Sequence, residues 1–320
     1  MTRRVLFVMD PLESLKPHKD STLAMIQGAQ DLGFEVYYAL QSDLWLSSGK
    51  PMGRLARLTV DLKNPQNVAQ LGTPAVRGLH EMDAILMRKD PPFDMEYIYT
   101  TYILDRAMAL GALVVNNPQG LRDMNEKVYT AWFEQCCSPT LITRSMTDLH
   151  AFLKEHHKAV CKPLDGMGGR SIFVLDAHDK NASVVFETLT DYGSRYAIIQ
   201  RYIPEIVTAG DARILLVDGE PMPYALARIP SASDNRGNLA AGATGRGRPL
   251  TDRDRWLCAQ IGPPLAAKGM LFVGLDVIGD YVTEINVTSP TGIRELDHQF
   301  GLNIGLTLMQ AVSAKIAARH

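Results

Sequence analysis

The chain reads as an α/β protein built in three successive parts: a parallel α/β sheet, a smaller αβ unit and an antiparallel α+β unit. Three observations predict this. Strand and helix patterns alternate over the first ~125 residues, which is the signature of a parallel sheet. From residue 211 onward the pattern changes to strand, turn and strand, as antiparallel hairpins require. Within that last part, the run LFVGLDVIGDYVTEINVTSP (271–290) sets Asp276, Glu284 and Asn286 about a Gly279-Asp280 turn between two apolar strands.

The elements follow in order. Residues 3–9 form an apolar strand, and residues 21–33 a helix with Leu23, Ile26, Ala29 and Leu32 at helical spacing and Gly33 as its stop. Residues 36–40, 84–87 and 113–116 read as further strands, with a helix over 97–110 between the last two. Ligands meet an open α/β sheet at the loops that follow its strands, which makes Asp10, Lys19, Ser21 and Arg88 candidates for substrate contact. Residues 125–134 read as a linking helix, and a smaller unit then runs to about residue 202, with strands at 159–163, 171–175 and 197–201. Strands 213–217 and 222–229 join at an Asp218-Gly219 turn; a helix over 252–268, the 271–290 hairpin and a closing helix over 305–318 complete the chain. The resulting division is 1–125, 126–203 and 204–320, with no internal repeat or low-complexity tract.

With 320 residues, the chain is long enough for two or three units sharing an interface. Its 33 basic and 35 acidic residues nearly balance, so its global charge favours neither nucleic acid nor an anionic membrane. No apolar run approaches the roughly 20 residues that span a bilayer, and no signal-peptide pattern precedes the first strand. The expectation is a soluble, cytoplasmic protein. Cys136, Cys137, Cys161 and Cys258 lack the spacing of a zinc site or a disulfide framework and are expected to be reduced thiols. His156-His157 lies in the charged stretch KEHHK and reads as a solvated helix end, which leaves the chain without a catalytic histidine.

Chemistry concentrates in three segments. In the hairpin, Glu284 and Asn286 leave the same face of a strand, and Asp276 joins them if it lies opposite Glu284. A plain two-residue turn would pair Asp276 with Thr283, so a longer loop or a glycine bulge including Tyr281 is predicted. Such a face is either an ordinary solvated one or a magnesium site, whose remaining positions go to water and phosphate oxygens. The second segment, VCKPLDGMGGRSIF (160–173), places Lys162 on a strand before a turn containing Gly166, Gly168 and Gly169. It is either a plain turn or a phosphate-cradling one, and it is not a Walker loop, because no Gly-Lys-Ser/Thr follows. The third, 231–249, is rich in Gly, Ala, Ser and Arg, and is too poor in large apolar residues to stay ordered alone. It reads as a flexible loop, either a tolerated insertion or a lid whose Arg236, Arg246 and Arg248 close over anionic reactants.

Taken together, these segments resemble the bacterial glutathione synthetases, a family of ATP-grasp ligases. The likeness runs through nearly the whole chain: VMDP (8–11), KDST (19–22), ILMRKDPPFD (85–94), VNNPQGLRDMNEK (115–127), KPLDGMGG, VDGEPMPYALARIP (217–230), RGNLAAG (236–242) and TEINVTSPTGIRE (283–295). It implies an ATP-grasp fold: an N-terminal α/β domain, a small lid, and a C-terminal catalytic unit with an antiparallel sheet. It also implies ligation of γ-glutamylcysteine to glycine through an acyl phosphate, with ATP as co-substrate, Mg²⁺ or Mn²⁺ as metal, and a homo-oligomer, dimer or tetramer. Such chemistry asks for positioned cations more than for an acid or base, which suits a chain offering Lys, Arg and oxygen ligands.

By the same resemblance, Lys127 and Lys162 contact the ATP phosphates together with Gly166, Gly168 and Gly169. Gln200, Arg201, Tyr202 and Ile203 form the adenine-binding link, and Asp211 reaches the ribose or its surroundings. Asp276, Glu284 and Asn286 hold the metal, and Arg213 and Arg228 stabilise the acyl phosphate and its tetrahedral adduct. Arg88 and Arg236, with Ser289, Pro290 and Thr291, meet the dipeptide or glycine. The chain departs from the family pattern at Ala243, Thr244 and Arg246 in the loop and at Gly292 after the Ser289-Pro290-Thr291 turn. Two other readings remain: a ligase of the same machinery acting on D-alanine or a peptide tail, and a nucleotide-binding regulatory module without catalysis.

Overall fold

The computed structural model describes residues 2–64, 67–166, 169–229 and 244–319. Its first sheet has β1 (Arg4–Val8) at its centre. In chain order there follow α1 (Ser21–Asp31), β2 (Glu35–Ala39), β3 (Leu44–Ser47), β4 (Lys50–Val60), β5 (Ala69–Leu71), β6 (Ala75–Gly78), β7 (Ala84–Met87), α2 (Met95–Ala109), β8 (Leu113–Val115) and α3 (Pro118–Asp123). β1 lies parallel to β2 and to β7, and β7 is parallel to β8, as the strand-helix alternation predicts. The sheet is nevertheless mixed. β4 runs antiparallel to β2, and β3, β5 and β6 all pair with β4. What turns the chain back is Ser48-Gly49, both with positive φ (49° and 76°), the geometry that a two-residue hairpin turn demands.

Asn125 begins the connection to the next unit, its Oδ1 accepting from the backbone N–H groups of Lys127 and Val128 at 3.0 Å each. The linker is a 3-10 stretch, Val128–Cys136, broken at Phe133, rather than a regular helix. The second sheet has the order β11-β10-β12-β9, all antiparallel, from β9 (Thr140–Thr143), β10 (Lys158–Pro163), β11 (Phe173–Asp176) and β12 (Ala197–Arg201). Helices α4 (Met146–His156) and α5 (Ala182–Thr190) supply Leu149, Leu153, Phe186 and Leu189 to a core that belongs to this unit alone. The His156-His157 pair sits at the end of α4, as expected of a solvated terminus.

After the short α6 (Glu205–Thr208) come β13 (Asp211–Val217), β14 (Glu220–Ile229), β15 (Thr244–Pro249), α7 (Asp252–Ala267), β16 (Phe272–Ile278), β17 (Tyr281–Asn286), α8 (Ile293–Phe300) and α9 (Ile304–Ala317). The strands form an antiparallel sheet in the order β15-β14-β13-β16-β17. Part of the expected flexible loop is therefore a strand: residues 244–249 pair with β14 in register from Thr244 to Pro249. Gly168, Arg236 and Ala243 lie outside the described residues. Helix α8, which the sequence pattern did not reveal, follows Gly292 directly.

First and third units share their cores. Leu6 and Val8 pack in one cluster with Ile214 and Leu275, and Phe7 and Val36 in another with Met309 and Val312. Helices α1 and α9 cross at two glycines. A Cβ on Gly305 would stand 2.3 Å from the Ala24 carbonyl oxygen, and one on Gly28 2.7 Å from the Gly305 carbonyl carbon. The second unit, with its separate core, hangs on this joined body through the linker and β12. Among the described residues no helix is long and apolar enough to cross a membrane.

Candidate active site

The hairpin of β16 and β17 sets Asp276 opposite Glu284 by an unexpected route. The turn has only two residues, since Ile278 pairs with Tyr281, and the predicted longer loop or bulge at Tyr281 is absent. The register shifts one step later, between Asp276 and Val277, so that Thr283 is the extra residue and Asp276 lies opposite Glu284. Thr283 Oγ1 donates to the Asp276 carbonyl at 3.3 Å, which gives the bulge a hydrogen bond of its own.

Across the sheet the same row continues. Asp276 is paired in register with Arg213 on β13, and Asp211 on β13 with Arg228 on β14. These four side chains form a closed network. Arg213 grips Asp276 through Nε and, at 2.9 Å, through Nη2. Arg228 Nη2 lies 2.6 Å from Asp211 Oδ2 and 2.9 Å from Asp276 Oδ2. Relative exposures of 3% for Asp276, 7% for Arg213 and 6% for Arg228 place the charges out of water. Burial alone would raise the Asp276 carboxyl, yet the two guanidiniums hold it well below the usual carboxylate range. Asp211 goes the other way: burial pushes it up to about 7, with the Asp276 and Glu284 carboxylates adding to the rise and Arg228 opposing it. Asp211 Oδ1 is buried without a hydrogen-bond partner.

On the other side of the row stand two buried lysines. Glu284 Oε1 lies 3.6 Å from Lys127 Nζ and 3.5 Å from Lys162 Nζ. Lys127 also contacts Glu126 and donates to the Gly166 carbonyl at 2.7 Å, tying the glycine-rich turn to the linker. Although burial works against its charge, Glu284 and Glu126 raise the Lys127 pKa. Gly166 has no room for a side chain, since a Cβ there would meet Pro163 Cγ at 2.7 Å; Gly169 has φ 78°.

A cleft between the second and third sheets is lined by Lys127, Lys162, Gly166, Gly169, Gln200, Arg201, Tyr202, Ile203, Asp211, Asp276 and Glu284. Sequence reasoning missed its apolar walls, Val160, Ile172, Val174, Ile206 and Ile278, which no motif separates from ordinary core. Gln200 Nε2 donates to Thr140 Oγ1 and Arg201 Nη2 to Tyr281 Oη, both at 3.1 Å, which holds the β12 end against both sheets.

A second cleft, of about 440 Å³, opens where β1 and β7 end against α1 and α8. It gathers Asp10, Lys19, Ser21, Arg88, Ser289 and Thr291. Arg88 donates to Thr22 Oγ1 at 3.2 Å and to the Pro290 carbonyl at 3.0 Å. Arg213 connects the two clefts, its Nη1 reaching the Thr291 carbonyl at 3.4 Å. Arg213, Arg228, Pro290, Asn286, Arg246 and Arg248 are not among the residues that line either cleft. Asn286 donates Nδ2 to the Gly274 carbonyl at 3.3 Å, and Arg248 is drawn away from any anion by Asp254 of α7, 2.5 Å from its Nη1.

The donor set suits a hard divalent cation: two carboxylates and an amide oxygen on one face of a hairpin. Asp276 spends its oxygens on arginines, so Glu284 and the Oδ1 of Asn286 carry the more available acceptors. Among the described residues no three His, Cys, Asp or Glu side chains come together as a metal-binding group.

Comparison with known proteins decides the family. The model of the prokaryotic glutathione synthetase N-terminal domain matches residues 4–122, and that of the prokaryotic glutathione synthetase ATP-grasp domain matches residues 126–301. The chain belongs to the prokaryotic glutathione synthetase family. Among curated members, the glutathione synthetase of Pseudomonas syringae pv. tomato is 53% identical over 319 residues, covering 100% of this chain and 99% of its own. That of Coxiella burnetii is 49% identical over 317 residues, with 99% and 98% covered. Solved structures that share the fold include the D-cycloserine synthetase DcsG, with TM-score 0.68 and 15% identity over 98% of this chain and 99% of its own. The ATP-grasp ligase PsnB, bound to its precursor peptide and AMPPNP, superposes with TM-score 0.62 at 16% identity, covering 99% of each chain. These place the fold as ATP-grasp.

Proposed function

We propose that this chain joins γ-glutamylcysteine to glycine at the expense of ATP, giving glutathione, ADP and phosphate. The observation that carries this reading is the pair of clefts meeting at Arg213. One side of Arg213 holds Asp276 in the lysine-rich cleft, and the other reaches the Thr291 carbonyl in the cleft at the sheet ends. A nucleotide in the first and a dipeptide in the second would meet at the two buried guanidiniums.

Lys127 and Lys162, with the Gly166–Gly169 turn, would hold the phosphates, and the apolar walls with Gln200–Ile203 the adenine. The unpartnered Asp211 Oδ1 suits a ribose hydroxyl or its hydration. In the reaction the cysteinyl carboxylate attacks the γ-phosphorus, the bond to the β-phosphate oxygen breaks and ADP leaves. The glycine amine then attacks the acyl carbon, loses its proton, and phosphate departs. Arg213 and Arg228 stabilise the charge on the transferring phosphoryl group and on the tetrahedral adduct, as planar forks suited to phosphate and carboxylate oxygens. Mg²⁺ or Mn²⁺, held by Glu284 and Asn286 with Asp276, would supply further positive charge to the phosphates. The separate core of the second unit supports its closing as a lid to exclude water.

The same proposal includes a cytoplasmic homo-oligomer. Support for association comes from α2, where Met95, Tyr99 and Tyr102 stand about half exposed on one face at helical spacing. ADP release with ATP, Mg²⁺, γ-glutamylcysteine and glycine, compared with omission of each, tests the reading. Release that needs both amino-acid substrates and yields glutathione supports it; release with D-alanine in place of glycine, or none at all, sinks it.

A further inference from the structure

The motif VNNPQGLRDMNEK (115–127) contributes Lys127 to the cleft between the second and third sheets, yet its first asparagine lines neither cleft. Asn116 follows β8 directly and is buried. Both hydrogens and the oxygen of its side-chain amide are in use. Nδ2 donates to the Phe272 carbonyl at 2.7 Å and to the Val287 carbonyl at 2.6 Å, while Oδ1 accepts from the Phe272 N–H at 3.0 Å. Phe272 opens β16 and Val287 follows the last residue of β17, so the amide sits at the open end of the hairpin that carries Glu284 and Asn286. Register between these strands ends where Gly274 pairs with Asn286, which leaves Phe272 without a partner on β17. The Asn116 amide answers both its N–H and its C=O, as a residue of an antiparallel strand would.

The same segment holds β17 a second time, for the Glu126 carbonyl accepts from the Ile285 N–H at 2.8 Å. The backbone is thus fixed at Ile285 and Val287, and the residues that alternate with them are Glu284 and Asn286. We infer that Asn116 is a positioning residue for the divalent cation, setting the place of the Glu284 and Asn286 oxygens through the backbone of β17. The inference rests on the proposed function, which supplies the cation and the nucleotide phosphates. Asn286 feels the hold most directly, being the neighbour of Val287, and its own Nδ2 is already tied to the Gly274 carbonyl at 3.3 Å. Mg²⁺ demands near-ideal octahedral geometry with oxygens at about 2.0–2.1 Å, so a strand end free to drift loses the fit. Groups that only orient metal ligands typically cost about 10- to 100-fold in metal affinity or activity when replaced.

Calorimetry of AMPPNP binding, with excess Mg²⁺ and again with EDTA in its place, isolates the contribution of the cation as the ratio of two dissociation constants. Asn116→Ala should shrink that ratio about tenfold or more by weakening binding with Mg²⁺, and should leave binding in EDTA where it was. Asn116→Ser, which keeps one donor and disturbs the packing less, should shrink it by a smaller factor, and it carries the test if the alanine variant does not fold. Gly305→Ala, at the α1–α9 crossing, loosens the same two units elsewhere and should keep the wild-type ratio. An unchanged ratio in the folded Asn116 variants, or an equal fall in Gly305→Ala, overturns the assignment while the ligase reading stands. Wild-type protein whose AMPPNP binding ignores Mg²⁺ removes the cation site, and the assignment with it; glutathione formation by the same protein reports separately on the ligase reading.

Discussion

Arg213 on β13 and Asp276 on β16 face each other across an antiparallel pair and bond through two nitrogens and both carboxylate oxygens. Because Arg228 shares Asp276 and also holds Asp211, the two arginines and the two aspartates form one electrostatic unit. Substituting one member disturbs the others, and effects within such a unit are not additive.

Arg228→Ala should therefore do two things. Turnover should fall by orders of magnitude with ATP affinity largely intact, because the guanidinium matters most where charge develops in the transition state. Two buried carboxylates also lose a partner, a loss of about 3–5 kcal/mol when a buried pair is broken. Steady-state kinetics and a denaturant titration separate the two effects. Near-normal turnover in the folded variant contradicts the catalytic role, and unchanged stability contradicts the shared network.

Gly305→Ala tests the joint between the first and third units. The added methyl group would stand 2.3 Å from the Ala24 carbonyl oxygen, so α9 must move off α1. Overpacking of this kind costs typically about 1–3 kcal/mol. Thermal unfolding should show the loss, with KM for ATP nearly unchanged because the cleft proposed for the nucleotide lies elsewhere. Wild-type stability would mean that the helices separate at no cost.

How far the sequence foretold these features depends on the kind of signal. Alternation put Glu284 and Asn286 on one face and left Asp276 to the register, and the extra residue that sets this register is Thr283, in contact with the Asp276 carbonyl, rather than Tyr281, a tertiary detail. The hairpin at Ser48-Gly49 carried a local signal, since a small residue followed by glycine suits positive φ at both positions, and it shows that the first sheet need not be purely parallel. Arg248 illustrates the opposite limit. As a residue type it suits an anion, and only the fold reveals that Asp254, in the capping box of α7, claims it. The apolar walls of the cleft between the second and third sheets, such as Ile172 and Ile278, were illegible because a valine or isoleucine lining a pocket looks the same in sequence as one filling a core.

Asp297 gives stability a defined pH dependence. Burial raises its carboxyl to about 6, from 3.8, against the backbone hydrogen bond from Ile304. The folded state then binds the proton more tightly than the unfolded chain, so this contribution is present in full below the unfolded value and is lost as pH rises through about 6. Asp297→Asn keeps an oxygen for Ile304 N and removes the titration. Its melting temperature relative to wild type should be higher at pH 7 than at pH 4; a difference of the opposite sign contradicts the raised carboxyl.

The four cysteines are all free, and burial pushes the thiols of Cys137, Cys161 and Cys258 up to about 12 and raises that of Cys136 as well. At pH 8 roughly one in ten thousand of the three most shifted thiols is the reactive thiolate. In an enzyme whose proposed substrate and product both carry a free thiol, such a chain avoids mixed disulfides with its own reactants, since the attacking or attacked sulfur must first be reachable and ionised. Iodoacetamide at pH 8 should leave the native protein unmodified and label all four positions after denaturation, with the masses read by peptide mapping. Cys137 is the most exposing test, being the one thiol only half-buried; its alkylation in the native state would show that burial does not protect it.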